Sequence, residues 1–189
     1  MFYVTVITAT ALITALFNTV FSPPVTLNSA MYYLFCSVFS VIAVIAVDGI
    51  FAFIIRRLPE KWFLLESKIF AVSKKESRFY RKLKINSWKN KVPELGCFTG
   101  FHKDKLQSST DPEYLFRFLL ESNYGVAIHI ANAVLGFLIT FIPFSASAGI
   151  SIPVIMVNAF LSLLPVAILR SNTPALKLLY DKIIKKNIY

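Results

Sequence analysis

Met31–Ile55 reads MYYLFCSVFSVIAVIAVDGIFAFII, and one charged side chain, Asp48, interrupts it. A helix of about 20 apolar residues crosses a hydrocarbon core, and this run is long enough to do so. Asp48 is also the first charged residue of the chain. Working outward, Phe2–Phe21 is a similar run before it, and Gly125–Phe144 and Ile150–Leu169 are two more after it. Ser22–Asn28 (SPPVTLN) separates the first pair and Ser145–Gly149 (SASAG) the second. Both breaks are too short for anything but a hairpin turn. The expected fold is all-α: an integral membrane protein with four transmembrane helices in two hairpins and a basic interfacial cytoplasmic segment between them. Its parts are an N-terminal transmembrane hairpin (1–55), the basic segment (56–123), a C-terminal transmembrane hairpin (124–170) and a cytoplasmic tail (171–189).

Composition narrows the function classes. Of 189 residues, 56% are hydrophobic and 16% charged, where a soluble domain carries about 25% charged residues. That much apolar surface excludes a solvated, disordered chain. The two cysteines, Cys36 and Cys97, have no framework spacing, which excludes a disulfide scaffold and a Cys-rich zinc module. Cys97 and His102 lack further metal-ligating partners, so no metal site is expected. The first run lacks a basic leader and is long for a signal-peptide core, so it reads as a span.

Orientation follows from the bases. Of the 20 Lys and Arg residues, fifteen lie between Arg56 and Arg117, and the other five are Arg170, Lys177, Lys182, Lys185 and Lys186. The two hairpin turns carry none. The positive-inside rule then places the middle segment and both termini in the cytoplasm of a multi-pass cell-membrane protein.

The middle segment mixes rings with bases, as in Glu60–Phe70 (EKWFLLESKIF) and Arg78–Lys84 (RFYRKLK). Such stretches suit the headgroup layer, rings inserted and cations among anionic lipids. Nucleic acid also takes basic residues with interleaved aromatics, but membrane flanks account for the same charge more simply, and no nucleic-acid partner is expected. Pro59 should end or redirect the second helix. Thr110-Asp111-Pro112-Glu113 predicts a helix start with a capping box from Thr110 to Glu113. Glu113, Arg117 and Glu121 follow at four-residue spacing, so they can pair along one stripe.

Ionisable groups inside spans are functional candidates. Asp48 and His129 are two such groups. Glu121, eight residues before His129, and Arg170, at the end of the fourth run, are expected near the same cytoplasmic side. The alternative is structural: a membrane His bonds a neighbouring helix, Asp48 pairs with a Lys or snorkels, and Arg170 anchors a span end. There is no Ser-His-Asp order, P-loop or G-x-G-x-x-G motif.

A set of short stretches, in order, resembles one family. Arg57–Phe63 (RLPEKWF) is similar to an I-P-acid-K-aromatic-F string, and Glu76 matches an acidic residue further on. Trp88–Gly96 (WKNKVPELG) resembles a W-K-x-x-x-P-x-x-G stretch. Glu121 and His129 keep the spacing of E-T-x-R-A-E-x-x-H-W, and Arg170–Leu176 (RSNTPAL) resembles R-Y-N-R-P-R-L. These motifs are those of the glycosyl-4,4'-diaponeurosporenoate acyltransferase family, small membrane proteins of carotenoid glycolipid synthesis. The pattern departs where the family's Arg falls on Tyr124, its second Glu on Val126 and its Trp on Ile130. Near the C-terminus its Tyr and two Arg fall on Ser171, Thr173 and Ala175.

The resemblance implies acyl transfer onto a hydroxyl of a glycosylated lipid, a carotenoid glucoside-like acceptor. It carries over Trp88, Lys89, Glu94, Glu121, His129, Arg170 and Asn172. A neutral His suits the general base for a hydroxyl at cytoplasmic pH, so His129 with Glu121 forms the expected catalytic pair. Glu121 or Asp48 would orient the ring. Trp88, Lys89, Glu94, Arg170, Asn172 and Asp48 are the expected substrate-binding residues, with Asn172, Arg170 or Lys89 as oxyanion donors. No cofactor is expected. An acyl-coenzyme A is the donor considered, its phosphates on Lys89, Lys91 and Arg81, and the partners are membrane lipid, a lipid-linked sugar acceptor and the acyl donor. The rival reading is a non-enzymatic membrane subunit or scaffold, which the missing arginines favour. A transporter is disfavoured by four spans without a second half.

Overall fold

The computed structural model describes residues 2–21, 26–64, 67–92, 108, 110–143 and 148–188. Every regular element among them is helical: α1 (Phe2–Phe21), α2 (Leu27–Arg56), α3 (Lys74–Lys82), α4 (Ile85–Trp88), α5 (Pro112–Leu135) and α6 (Ala148–Ile188), with short 3-10 turns at Glu60–Trp62, Lys89–Lys91 and Gly136–Phe141. Glu94, Cys97 and His102 lie outside the described residues.

Among the described residues, three helical stretches are long and apolar enough to cross a membrane: Leu27–Arg56, Pro112–Phe141 and Gly149–Lys186. The described side chains of α1 form a shorter apolar stretch, Thr5–Phe21. Large apolar side chains such as Ile13, Phe21, Phe35, Phe53, Phe141 and Phe160 stand exposed. Water would penalise that surface, whereas lipid solvates it.

Local chemistry explains the helix ends. α2 stops at Arg56, three residues before Pro59, in keeping with the break expected at that proline. α3 begins at a Ser73 cap whose hydroxyl accepts from the Glu76 N–H at 3.1 Å. For α5 the cap differs from the sequence expectation. Asp111, not Thr110, supplies it, its carboxylate accepting from the N–H groups of Glu113 (2.9 Å) and Tyr114 (3.3 Å). A carboxylate at this position also meets the helix dipole. Arg117 and Glu113 pair along the exposed face at 3.5 Å.

α6 is longer than the fourth apolar run. It continues through Arg170 and Pro174 as one 41-residue helix, about 60 Å at about 1.5 Å per residue. That is about twice the thickness of a hydrocarbon core. Strong helix formers in Ala175–Lys186 carry it on past the charge that ends the apolar run.

Packing divides the chain into two units. The first joins Met1–Ile54 to Ile128–Leu163, and the second joins Ile55–Ala127 to Leu164–Tyr189. In the first, Val44, Ile139, Val154 and Ile155 form a buried cluster. There Asn18 donates to the Thr14 carbonyl (2.8 Å) and to the Gly149 carbonyl (3.0 Å), tying α1 to the start of α6. Gly149 permits that approach, because a Cβ there would meet Asn18 Oδ1 at 2.5 Å. In the second unit, Phe118, Leu119 and Leu176 pack with Tyr114 and Tyr180. Gly125 lets α5 approach α6 closely: a Cβ would meet Leu169 Cδ1 at 2.9 Å.

Candidate functional site

In the second unit the basic segment is fastened to α5 and α6 by buried polar bonds. Asn123, 3% exposed, donates to the Phe63 carbonyl at 2.8 Å. Phe63 stacks on Tyr124 with ring centroids 4.1 Å apart, and the Tyr124 hydroxyl reaches the Leu58 carbonyl at 3.4 Å. Arg56 pairs with Glu121 at 3.1 Å. Glu121, expected beside the base, thus has a guanidinium as its partner within this unit.

The second unit also holds an ion pair that no helical spacing announces. Arg170 on α6 meets Glu76 on α3 with two nitrogens, Nε to Oε1 at 2.5 Å and Nη2 to Oε2 at 2.8 Å. Two further N–H groups donate to the carbonyls of Ile69 and Ala71, both at 3.3 Å. Such bidentate geometry is the strong form of a carboxylate–guanidinium bond. Tyr80 donates its hydroxyl to Glu76 Oε1 at 2.6 Å. Hydrogen bonds from Arg170 hold the Glu76 carboxyl below the usual carboxylate range, against the opposing effect of burial, with Tyr80 adding to the depression. Burial, then the neighbouring carboxylate, pushes the Tyr80 phenol up to about 12.

The second unit also holds three more of the carried-over residues. Lys89 Nζ is 3.4 Å from Asn172 Oδ1. Trp88, at the end of α4, donates its indole N–H to the Leu83 carbonyl at 3.0 Å. Lys84 makes this fold-back possible by taking the left-handed conformation, φ 49° and ψ 41°. Lys89 and Asn172 come together, and Arg170 is two residues from Asn172 on α6.

The first unit holds the other two candidates. Asp48 on α2 is half-buried, and Asn158 on α6 donates Nδ2 to its Oδ1 at 3.4 Å. The same Nδ2 lies 3.3 Å from the carbonyl of Asn132 on α5. His129 is half-buried on α5, three residues before Asn132.

Sequence pattern alone gives no functional role to Glu76, Tyr80, Arg56, Asn123, Asn132 or Asn158. Glu76 had two signals, its match to a family acid and its place in Ser73-x-x-Glu76, a capping box. Asn132 and Asn158 are polar but not ionisable, and it is an ionisable group that marks a candidate inside a span. No spacing in the sequence pairs Arg56 with Glu121.

All-helical structure with three membrane-length apolar helices defines a helical membrane protein. A family model for glycosyl-4,4'-diaponeurosporenoate acyltransferase matches residues 59–182, and the chain belongs to that family. The matched stretch holds Trp88, Lys89, Glu94, Glu121, His129, Arg170 and Asn172, while Asp48 lies before it. Neither the curated proteins nor the solved structures offer a match.

Proposed function

We propose that this protein transfers a fatty acyl group onto a hydroxyl of a glycosylated lipid at the cytoplasmic side of the cell membrane. The family match over residues 59–182 carries this reading. In it α1 is a fourth span, the helices pair as two hairpins, and both termini are cytoplasmic, as the distribution of bases favours.

His129 is the general base of the proposed reaction. It takes the proton of the acceptor hydroxyl as the oxygen attacks the acyl carbonyl of a thioester donor. The new C–O bond forms, the C–S bond breaks, and the proton passes from the imidazolium to the departing thiolate. Asp48 or Glu121 orients the ring, and the Arg56 partner of Glu121 makes Asp48 the better-placed choice, since Asp48 shares a unit with His129. Lys89 and Asn172, which meet in the second unit, are the candidates for binding the acyl donor's phosphates, with Lys91 and Arg81 nearby in sequence. Arg170 serves by position: its donors are engaged by Glu76, Ile69 and Ala71, so it holds the basic segment on α6. Trp88 and Glu94 complete the substrate-binding set.

The test compares label transfer from an acyl-coenzyme A by wild type and His129→Gln. The proposal expects a loss of about 100-fold or more, and equal rates would make His129 structural. A second reading, a non-enzymatic membrane subunit, draws on the engagement of Arg170 and Glu121 in internal ion pairs. It predicts that Glu121→Gln and His129→Gln change nothing but assembly with a partner.

A further inference from the structure

Arg170 fixes where α3 sits along α6. The apolar run Ile150–Leu169 is 20 residues long. At about 1.5 Å per residue it spans about 30 Å, the thickness of a hydrocarbon core. Arg170 is the next residue, so it stands where α6 leaves the hydrocarbon for the headgroups. Its side chain holds Glu76 of α3 through two nitrogens and donates to the carbonyls of Ile69 and Ala71. α3 and the residues before it are thus tied to α6 at the membrane boundary.

The same ion pair sorts the faces of α3. Glu76 and Tyr80, one turn apart and bonded to each other, form the stripe that meets Arg170. Lys75, Arg78, Phe79 and Lys82 stand at i, i+3, i+4 and i+7, so they share a second stripe, and all four are exposed. Ser67–Val92 carries nine Lys and Arg but one acid, Glu76. Arg170, from outside that segment, takes up the one acid. No ion pair among the described residues engages Lys75, Arg78 or Lys82. The second stripe therefore keeps its positive charge uncompensated. Apolar side chains stand out with it: Phe79 is 56% exposed and Leu83, one turn on, 44%. Ile69, whose carbonyl Arg170 holds, is 78% exposed. A soluble acidic partner would satisfy the bases alone, whereas an anionic leaflet takes both the cations and the apolar side chains.

We propose that the Lys75, Arg78, Phe79 and Lys82 stripe of α3 docks on anionic lipid headgroups of the membrane that α6 crosses. The three bases meet the lipid phosphates, and Phe79 and Leu83 insert among the headgroups. The Arg170–Glu76 pair makes the docking one-sided, because it turns the acid of α3 inward and leaves the bases outward. This docking does not rest on the acyl-transfer reading.

The experiment places an environment-sensitive nitrobenzoxadiazole label on Leu83→Cys in the full-length protein, with Cys36 and Cys97 replaced by alanine. The protein is held in nanodiscs of phosphatidylcholine, alone or mixed with phosphatidylglycerol, some of the lipid carrying a nitroxide quencher near its headgroup. Phosphatidylglycerol should bring the label into contact with the quencher. Salt at about 1 M, which shortens the screening length to about 3 Å, should reverse this. Each base near an anionic surface strengthens attachment about fivefold. Lys75→Gln, Arg78→Gln and Lys82→Gln together should therefore weaken docking about a hundredfold and remove the phosphatidylglycerol effect, with the melting temperature unchanged. Equal quenching with and without phosphatidylglycerol would overturn the proposal, and that comparison needs no change to the stripe. So would a triple variant quenched as strongly as the protein with its bases intact. A label that stays in water beside both lipids would overturn it too, and would leave the stripe to an acidic protein or a nucleic acid.

Discussion

Arg170 on α6 grips Glu76 on α3 through two nitrogens, although 94 residues separate them in the chain. Side-chain exposures of 14% and 23% place the pair where water screens it only partly. Two further bonds to the Ile69 and Ala71 carbonyls make Arg170 a point at which the basic segment attaches to the long C-terminal helix.

Arg170→Lys should therefore destabilise the protein despite keeping the charge. A lysine cannot reproduce the planar two-nitrogen contact or reach both carbonyls. The expected loss is about 1–3 kcal/mol, a fall of several degrees in thermal midpoint. Differential scanning fluorimetry in detergent checks it, with Lys177→Arg as a surface control of unchanged midpoint. An unchanged midpoint for Arg170→Lys would contradict the clamp.

Stability should also depend on pH through Glu76. Its folded carboxyl is depressed, mainly by Arg170. The folded state therefore holds this proton less well than the unfolded state. The stabilisation is fully present above the ordinary Glu value of about 4.3 and is lost as pH falls through the lower folded value. Tyr80 works in the opposite sense: its phenol is raised to about 12, so its contribution is present below about 10 and fades as pH rises through the folded value. Glu76→Gln should flatten the acid limb of the melting temperature against pH. An acid limb of unchanged steepness would contradict this assignment.

Some of this architecture is legible in the sequence. The apolar runs, the turn at Pro59 and the helix start near Pro112 follow from hydropathy, proline and capping chemistry. The reach of α6 does not, because the charge at Arg170 marks the end of an apolar run and not the end of helical propensity. Asp111 displaces Thr110 as the cap because a carboxylate bonds two N–H groups and meets the helix dipole. For the site, the short motifs lead to Lys89, Asn172 and Arg170, and the structure adds the partner that defines Arg170. Glu76 and Arg56 are selected by tertiary packing across long sequence gaps, which no local pattern encodes. Asn132 and Asn158 carry no charge, so only their mutual geometry singles them out.

Lys84 offers a gain rather than a loss. Its φ of 49° lies in the left-handed region, where glycine fits without the Cβ penalty of about 1–2 kcal/mol. Lys84→Gly should leave stability unchanged or raise it by up to about 1 kcal/mol, glycine's extra unfolded-state entropy offsetting part of the relief. Lys84→Val, β-branched, should lower it. Thermal midpoints of the two variants check the pair, and a Val variant as stable as Gly would contradict the left-handed turn under Trp88.

The proposed arrangement of four spans with both ends inside makes a labelling prediction. In a background with Cys36 and Cys97 replaced, single cysteines at Asn28 and Ser147 should react with an impermeant maleimide added outside intact cells. Cysteines at Lys75 and Lys185 should react only after permeabilisation. Reaction at Lys185 from outside would leave an odd number of crossings and contradict the two-hairpin arrangement.

Acyl transfer itself is tested most directly by mass spectrometry of what the purified protein makes. Wild-type protein in nanodiscs would receive labelled palmitoyl-coenzyme A and a lipid extract from the native membrane. The account predicts a glycolipid heavier by one labelled palmitoyl group, formed by wild type and absent with His129→Gln. Intact donor and no acylated lipid, from protein that is folded and monodisperse, would contradict it and leave the membrane-subunit reading in its place.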